Sequence, residues 1–295
     1  MTQAAALPLG EHVRAGGRRL FTHRSGRGGP PVVFLPGASM VGLHYLNLHN
    51  RIAEHTTSVL YDRAGTGFSE RIPLPRTAAE VADELRELLR ASEVSGPYVL
   101  VAHSLGGVYA RRFAQRYPDQ VAGLVSLEGA HEDWDDYMPP ELRIQNGAAD
   151  APMPELPAEI IQRFRDLITE KLAAWPTEIR ELLIERQLDL EWMRIGARER
   201  SNLATVFAEL RRGGPIPDVP YLLYTANGID PSQRLFLSEE LLRVQGERKL
   251  AMYQALAAAA PRGEHRVLAH GSHSWLHMDQ PEEIVEGILD VLKRV

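Results

Sequence analysis

The sequence predicts an α/β protein with a mostly parallel central sheet, helices on both faces and an inserted helical segment. Short runs that are apolar at every position recur along the chain, as in strands that are buried on both faces. Amphipathic helical patterns lie between these runs, which is typical of a parallel sheet. The 295 residues, 44% of them hydrophobic, are enough to form one large core.

The first predicted elements are strands. HVRA, a Gly-Gly turn and RRLFTHR form an opening hairpin at residues 12–24. PVVFLPG, at residues 31–37, is a buried strand that ends in a glycine turn, and TTSVLYDRAGTG, at 56–67, contains the next strand.

A helix follows over residues 75–92. Thr77 and Glu80 form a capping box at its start, and four apolar residues share one face: Val81, Leu85, Leu88 and Leu89. Beyond it we predict a strand at residues 97–103, a helix at 105–120 and a strand at 121–130.

Residues 131–217 contain no strand-like run. A loop that begins HEDWDDYM precedes helical stretches at 157–175, 177–196 and 201–212. In the first of these, one face carries Ile160, Ile161, Phe164, Leu167, Ile168 and Leu172. Strand-like runs return at 219–228 and 265–271, and a helix closes the chain at 281–295. We therefore expect a core of residues 1–130 and 218–295, with residues 131–217 as a helical cap over the reactive edge of the sheet.

The composition excludes several classes of function. The net charge is −6 and no run is dense in lysine or arginine, which argues against nucleic-acid binding. The absence of cysteine excludes disulfides and thiolate metal sites. No stretch approaches 18 uninterrupted apolar residues, and the N-terminal residues lack a signal-peptide pattern. We expect a cytoplasmic protein that acts on a small molecule, without a cofactor and without membrane association; the oligomeric state stays open.

The most informative stretch is VLVAHSLGG, residues 99–107. An apolar strand ends at Ser104, a helix begins directly after it, and Ala102 and Gly106 are small. A serine with small residues two positions before and two positions after it is typical of a nucleophile elbow. The turn at such an elbow is so sharp that these two positions come close together and must be small. Ser104 is therefore the candidate nucleophile. The competing interpretation makes it an ordinary helix N-cap.

At this point the chain resembles the α/β-hydrolase superfamily over nearly its whole length. VVFLPGAS resembles the oxyanion-loop strand, YDRAGTGFS the next strand and turn, and VAHSLGG the elbow. QRYPDQVAGLVSLEGAH resembles the strand that leads into the cap, and GSHSWLHMDQPEEIVEGI the histidine loop and final helix. The resemblance implies an α/β-hydrolase fold and a capped serine hydrolase, or esterase, with a Ser-His-acid triad.

Three histidines near the C-terminus compete for the role of base: His270, His273 and His277. His273 fits the family's loop best, although the spacing back from Pro281 points to Ser274, one residue later. We interpret His270 and His277 as hydrogen-bonded structural side chains.

The acid has two candidates, because the family places it after either of two strands. Glu128 ends one strand-like run and is favoured, while Asp230 follows the next and falls one residue late. The competing interpretations are a capping carboxylate for Glu128 and an Asp-Pro turn for Asp230. For the oxyanion hole, the resemblance implies the backbone N–H groups of Leu105 and Ala38.

Several large apolar residues are candidates for the substrate-binding surface. Trp134, Met138 and Trp192 are candidate substrate-binding residues, together with Trp175, Met153 and Met193, although core packing explains them equally well. The acidic stretch HEDWDDY is interpreted as a solvated loop, so no metal is expected. The leading hypothesis is hydrolysis of a mostly apolar ester or lactone. The alternatives are acyl transfer, carbon–carbon bond hydrolysis, a slow-turnover ligand sensor and a non-catalytic interaction domain.

Overall fold

The computed structural model describes residues 9–144 and 156–295, and its centre is an eight-stranded sheet. The strands are β1 (Glu11–Ala15), β2 (Arg18–Ser25), β3 (Val32–Leu35), β4 (Ser58–Tyr61), β5 (Tyr98–His103), β6 (Val121–Leu127), β7 (Tyr221–Ala226) and β8 (Gly263–Leu268). Their order across the sheet is β1-β2-β4-β3-β5-β6-β7-β8. β2 pairs antiparallel with both β1 and β4, and all other neighbours are parallel. The predicted α/β fold class is confirmed.

Helices cover both faces of this sheet. They are α1 (Leu46–Ile52), α2 (Ala78–Ala91), α3 (Leu105–Arg116), α4 (Trp134–Tyr137), α5 (Ala158–Lys171), α6 (Thr177–Leu188), α7 (Leu190–Arg200), α8 (Leu203–Arg212), α9 (Glu239–Ala259), α10 (Leu276–Asp279) and α11 (Pro281–Leu292). Among the described helices, none is long and apolar enough to cross a bilayer.

The core lies in two layers, one on each side of the sheet. In β5, successive side chains alternate between them: Val99 and Val101 belong to the layer under α1 and α11, while Leu100 packs with α2, α3 and α9. All six residues of β5 are buried. A strand covered on both faces needs apolar residues at every position, which is why the sequence shows continuous rather than alternating hydrophobicity.

The capping box of α2 forms as its sequence predicts. The N–H of Glu80 donates to Thr77 Oγ1 at 3.2 Å, and the N–H of Thr77 donates to a Glu80 carboxylate oxygen at 2.9 Å. These two bonds satisfy N–H groups that the first turn of a helix leaves without partners.

The helical stretch predicted at 177–196 is two helices rather than one. Asp189 has an extended backbone (ψ 129°), and its carboxylate accepts from the N–H of Trp192 at 2.8 Å. Aspartate is unfavourable in a helix interior but is a strong N-cap. The first helix therefore ends before Asp189, and its side chain caps the start of the second. Four further helices, α1, α4, α9 and α10, had no counterpart in the prediction.

Helices α4–α8 lie between β6 and β7 and bond to the rest of the protein at several points. The indole N–H of Trp175 donates to the carbonyl of Leu43 at 2.8 Å. Glu209, on α8, accepts from the first N–H groups of α2, those of Ala78 and Ala79, at 3.3 and 3.1 Å. Hydrogen bonds thus join the segment between β6 and β7 to the part of the chain that precedes it.

Candidate active site

Ser104 stands on a strained turn between β5 and α3. Its backbone lies at φ 48° and ψ −122°, a conformation that costs a non-glycine residue about 1–3 kcal/mol. Its carbonyl accepts from the N–H groups of Gly107 and Ala130 at 2.9 and 2.7 Å, which holds the turn in place.

Close packing requires the glycines that follow. A Cβ on Gly106 would lie 2.1 Å from the carbonyl oxygen of Leu35, and one on Gly107 would lie 2.5 Å from the Cα of Gly129. The turn is therefore pressed against the ends of the neighbouring strands β3 and β6. This explains in steric terms why small residues follow Ser104.

His273 lies in the loop after β8, beside the serine. Its Nε2 is 3.2 Å from Ser104 Oγ, and its Nδ1 is 2.7 Å from Glu128 Oε2. A carboxylate can only accept, so Nδ1 carries the hydrogen and Nε2 is free to accept from the serine hydroxyl. This is the arrangement that lets an imidazole remove the proton of an attacking alcohol.

The other two histidines of this region lie apart from Ser104. His270 is exposed after β8. His277 is buried and stacks on Tyr45 with ring centroids 4.4 Å apart, and burial lowers its pKa well below the usual value, so the ring is neutral.

Glu128 directly follows β6 and is fully buried. Its Oε1 accepts from the N–H of Ala226 at 2.7 Å, and its Oε2 accepts from Lys249 Nζ at 3.0 Å as well as from His273. Burial on its own raises the pKa of this carboxyl, but the Lys249 charge and the hydrogen bonds from His273 and Lys249 outweigh burial and hold the pKa at about 2. Glu128 is therefore ionised at neutral pH.

Asp230, the other candidate acid, bonds to backbone instead of imidazole. Its Oδ1 accepts from the N–H groups of Ser232 and Gln233 at 2.8 and 3.1 Å, and its Oδ2 accepts from the N–H of Ser274 at 2.6 Å. It thereby ties the loop after β7 to the residue that follows His273. Of the two carboxylates, the structure brings only Glu128 to the imidazole.

Lys249 is a residue that the sequence reasoning missed. It lies on α9 and is buried, 121 positions away from Glu128. On that helix it shares a stripe with Leu242, Tyr253 and Ala257, all buried. A lone lysine in an apolar helical stripe is the sequence signal that points to a buried anionic partner.

His103 connects the elbow to the histidine loop. Its Nε2 donates to the carbonyl of His273 at 2.8 Å, and its Nδ1 accepts from the hydroxyl of Tyr45 at 2.7 Å. Burial lowers the pKa of His103 to about 3, so the ring is neutral and keeps this donor–acceptor pattern. The residue before Ser104 thereby fixes the backbone that carries His273.

The loop after β3 passes directly over the serine. A Cβ on Gly37 would lie 3.0 Å from His103 Nδ1 and 3.2 Å from Ser104 Cβ, which is tighter than ordinary van der Waals contact, so a glycine here eases the close approach. The N–H groups of Ala38 and Leu105 donate no hydrogen bond to any residue that the structure describes. Two free backbone donors next to a serine are what an oxyanion hole requires.

A buried ion pair between Arg63 and Glu199 is hydrogen-bonded to the loop after β3. Arg63 donates to Glu199 Oε1 at 2.7 Å and to the carbonyls of Pro36 and Gly37 at 2.6 and 3.0 Å. Glu199, on α7, also accepts from the N–H of Ser39 at 3.0 Å. The inserted helices and the loop therefore share one network of hydrogen bonds.

Ser104 opens into a cavity of about 380 Å³. Its lining includes residues of the sheet domain, such as His273 and Trp275, and residues of the inserted helices, namely Phe164, Gln187 and Arg200. The cavity thus lies at the junction of the two parts of the chain.

The predicted substrate-binding residues fall in three places. Trp192 is buried with its indole N–H 3.2 Å from the carbonyl of Ser39, and it lines a cleft that adjoins the cavity. Trp134 packs on the core and donates to the carbonyl of Leu142, and Met138 is buried; neither lines the cavity at Ser104. Met153 lies outside the described residues.

The acidic stretch after β6 is partly neutralised by arginine. Glu132 forms a two-bond ion pair with Arg111, and His131 lies 3.5 Å from the same carboxylate. Within residues 9–144 and 156–295, no three histidine or carboxylate side chains are arranged to hold a metal ion.

Curated relatives match parts of the chain. An uncharacterized protein of Schizosaccharomyces pombe is 43% identical over 77 residues, which is 26% of this chain and 14% of that protein. The uncharacterized protein YbdG of Bacillus subtilis is 27% identical over 132 residues, 43% of this chain and 41% of that protein. The chain therefore spans less than half the length of these relatives.

Solved structures match almost the whole fold. A thermophilic esterase from Thermogutta terrifontis is 19% identical, covers 96% of this chain and 97% of its own, and has a TM-score of 0.61. Est816, an N-acyl homoserine lactone degrading enzyme, is 20% identical, covers 95% of this chain and 99% of its own, and has a TM-score of 0.58. A meta-cleavage product hydrolase from Pseudomonas fluorescens IP01 is 15% identical, covers 97% of this chain and 98% of its own, and has a TM-score of 0.64.

The family model described as the alpha/beta hydrolase family matches residues 32–287. That range begins at β3 and includes the elbow, Glu128, the inserted helices and His273. The chain belongs to the alpha/beta hydrolase family.

Proposed function

We propose that this chain is a serine hydrolase that cleaves a carboxylic ester or a lactone. Ser104 attacks the carbonyl carbon while His273 takes its proton, and the backbone N–H groups of Leu105 and Ala38 receive the oxyanion. Glu128 orients the imidazole and stabilises its charged form. His273 then protonates the leaving alcohol, and a water activated by the same ring releases the acyl group.

One observation carries this proposal. The imidazole of His273 lies between the serine and the carboxylate. Its Nε2 is 3.2 Å from Ser104 Oγ and its Nδ1 is 2.7 Å from Glu128 Oε2, and Ser104 stands on a strained turn that faces a cavity. The strain supports a functional role, because a structural serine gains nothing from such a backbone. The family and the esterase and lactone-degrading neighbours in fold agree with this chemistry.

We further propose that residues 131–217 act as a cap over the reactive edge of the sheet, with residues 1–130 and 218–295 as the catalytic core. Phe164, Gln187 and Arg200 of this segment line the cavity at Ser104, which supports a role in shaping the substrate site. A cap of this kind also excludes water from the reacting carbonyl.

The test begins with a fluorophosphonate probe, which reacts only with an activated serine. The wild-type protein should be labelled and Ser104→Ala should not. Labelling that persists in the alanine variant, or is absent from the folded wild-type protein, overturns the proposal.

The role of the acid is tested by a matched pair of variants, Glu128→Gln and Asp230→Asn, whose folding is checked by circular dichroism. We expect Glu128→Gln to lower kcat about 10³-fold or more, since the imidazole loses its orienting carboxylate. Asp230→Asn should lower it less than about tenfold. The reverse ranking would make Asp230 the acid.

A substrate screen completes the experiment. 4-Nitrophenyl esters of increasing chain length, with a set of lactones, measure the preferred acyl group. Product analysis with an added alcohol distinguishes hydrolysis from acyl transfer, which would yield a new ester in place of the free acid.

A further inference from the structure

The cavity at Ser104 continues into a second cleft. The two share Ser39, Phe164, Gln187 and Arg200, and their volumes are about 380 and 340 Å³. The lining of the second cleft is mostly apolar: Leu156, Ile160, Ile161, Leu188, Trp192, Met193, Leu235 and Phe236. A substrate that reaches Ser104 therefore has room for an apolar group beside it.

Arg200 lines both the cavity and the cleft and places a positive charge there. No aspartate or glutamate is among the described residues that line the cavity or the cleft, and Arg200 is the only lysine or arginine among them. Its side chain is exposed, although it projects from the same helix as the buried Glu199.

Arg200 also lacks the ionic partner that its neighbours have. On the same helix, Arg194 and Arg198 both pair with Glu191, at 3.6 and 3.1 Å. Glu199 is already engaged by Arg63 and by the N–H of Ser39. Within the described part of the chain, no carboxylate lies within ion-pair distance of Arg200.

The guanidinium reaches the loop that covers the serine. Its Nη1 donates to Ser39 Oγ at 3.3 Å, and Ser39 follows Ala38, whose N–H is one of the two free donors beside Ser104. Arginine has five N–H donors in a planar fork that fits a carboxylate. Most of these donors have no acceptor among the described residues.

We propose that Arg200 binds a carboxylate of the substrate, so that the natural substrate is an ester or lactone with a carboxylate close to the scissile carbonyl and an apolar group in the cleft. This inference rests on the proposed function and adds the charge of its substrate. A carboxylate held by arginine at this point fixes the reacting carbonyl relative to Ser104, which supplies orientation as well as affinity.

The experiment compares matched esters with the full-length protein. Monobenzyl succinate and monobenzyl adipate carry a carboxylate, and benzyl butanoate and benzyl hexanoate are neutral esters of the same chain lengths. Release of benzyl alcohol gives kcat/KM for each. We expect the wild-type enzyme to favour at least one acidic ester over its neutral counterpart.

Arg200→Met should lower this ratio of acidic to neutral kcat/KM about 10- to 100-fold, mainly through KM, since it removes a charge-assisted pair. Arg200→Lys should restore part of the ratio, because it keeps the charge without the fork. Arg194→Gln, on the same helix but outside both spaces, is the control and should leave the ratio unchanged.

Two outcomes would overturn the inference: a wild-type enzyme that hydrolyses neutral esters as well as both acidic ones, or an Arg200→Met variant that loses activity equally on both kinds. In either case Ser104 would still react with the fluorophosphonate probe. Failure of that reaction would instead refute the proposed function itself, so the two failures are distinguishable.

Discussion

Lys249 provides the sharpest test of how the buried carboxylate is held. We expect Lys249→Met to destabilise the protein by about 3–5 kcal/mol at pH 7.5, the usual cost of leaving one member of a buried ion pair without its partner. The side chains of both partners are almost completely buried, 6% and 0% exposed, so solvent cannot replace the lost charge.

The magnitude follows from the pKa of Glu128. A carboxyl whose pKa falls from its ordinary 4.5 to about 2 on folding contributes roughly 3 kcal/mol to the free energy of unfolding at neutral pH, at about 1.4 kcal/mol per pH unit. This contribution is complete above pH 4.5 and disappears as the pH falls through about 2. At pH 3 we therefore expect about half of it to remain.

Urea unfolding at pH 7.5 and pH 3 measures both the size and the pH dependence of the effect. Lys249→Arg keeps the charge and should recover most of the stability, and Arg243→Gln, an exposed residue of the same helix, should change it by less than about 0.5 kcal/mol. A Lys249→Met protein within 1 kcal/mol of wild type at pH 7.5 would refute the reasoning.

Three further predictions concern the elbow and the loop above it. Gly106→Ala places a methyl group 2.1 Å from the carbonyl of Leu35, so the variant should lose reaction with the fluorophosphonate probe or fail to fold; normal labelling would contradict this. Gly196→Ala places one 1.5 Å from Ser39 Oγ, and should lower kcat at least tenfold by displacing the loop, as steady-state kinetics would measure. Arg63→Met leaves a buried carboxylate on α7 unpaired and should cost about 3–5 kcal/mol in urea unfolding, whereas a loss under 1 kcal/mol would show that the ion pair is dispensable.

The fold could be predicted because its signals are local. Continuous apolar runs marked strands buried on both faces, and the spacing of Thr77 and Glu80 marked the start of α2. Helix α1 has only two turns, too short for a clear period. The break at Asp189 was missed because the apolar pattern continues across it while the N-cap interrupts the backbone.

In the candidate site, only those features could be predicted whose residues are adjacent in the sequence. The elbow is such a case, since Ser104 and its small neighbours are adjacent. The sequence favoured Glu128 but kept Asp230 as an alternative acid, because both follow strands that end at the same edge of the sheet. The two carboxylates differ in the hydrogen-bond donors around them. Backbone N–H groups donate to Asp230, whereas the side chains of Lys249 and His273 donate to Glu128. Such convergence depends on the tertiary fold and leaves no local signature.

The ion pair between Arg63 and Glu199 connects the helix beside the cavity to the loop that passes over Ser104. The helix that lines the space for the substrate also holds the backbone that would steady the reaction's developing charge. A substitution that moves Glu199 would therefore shift the loop that carries the N–H of Ala38 as well as the helix that lines the cavity. Substitutions that displace Glu199 should therefore change selectivity and turnover number together, unlike those at Arg194 or Arg200, which take no part in this ion pair.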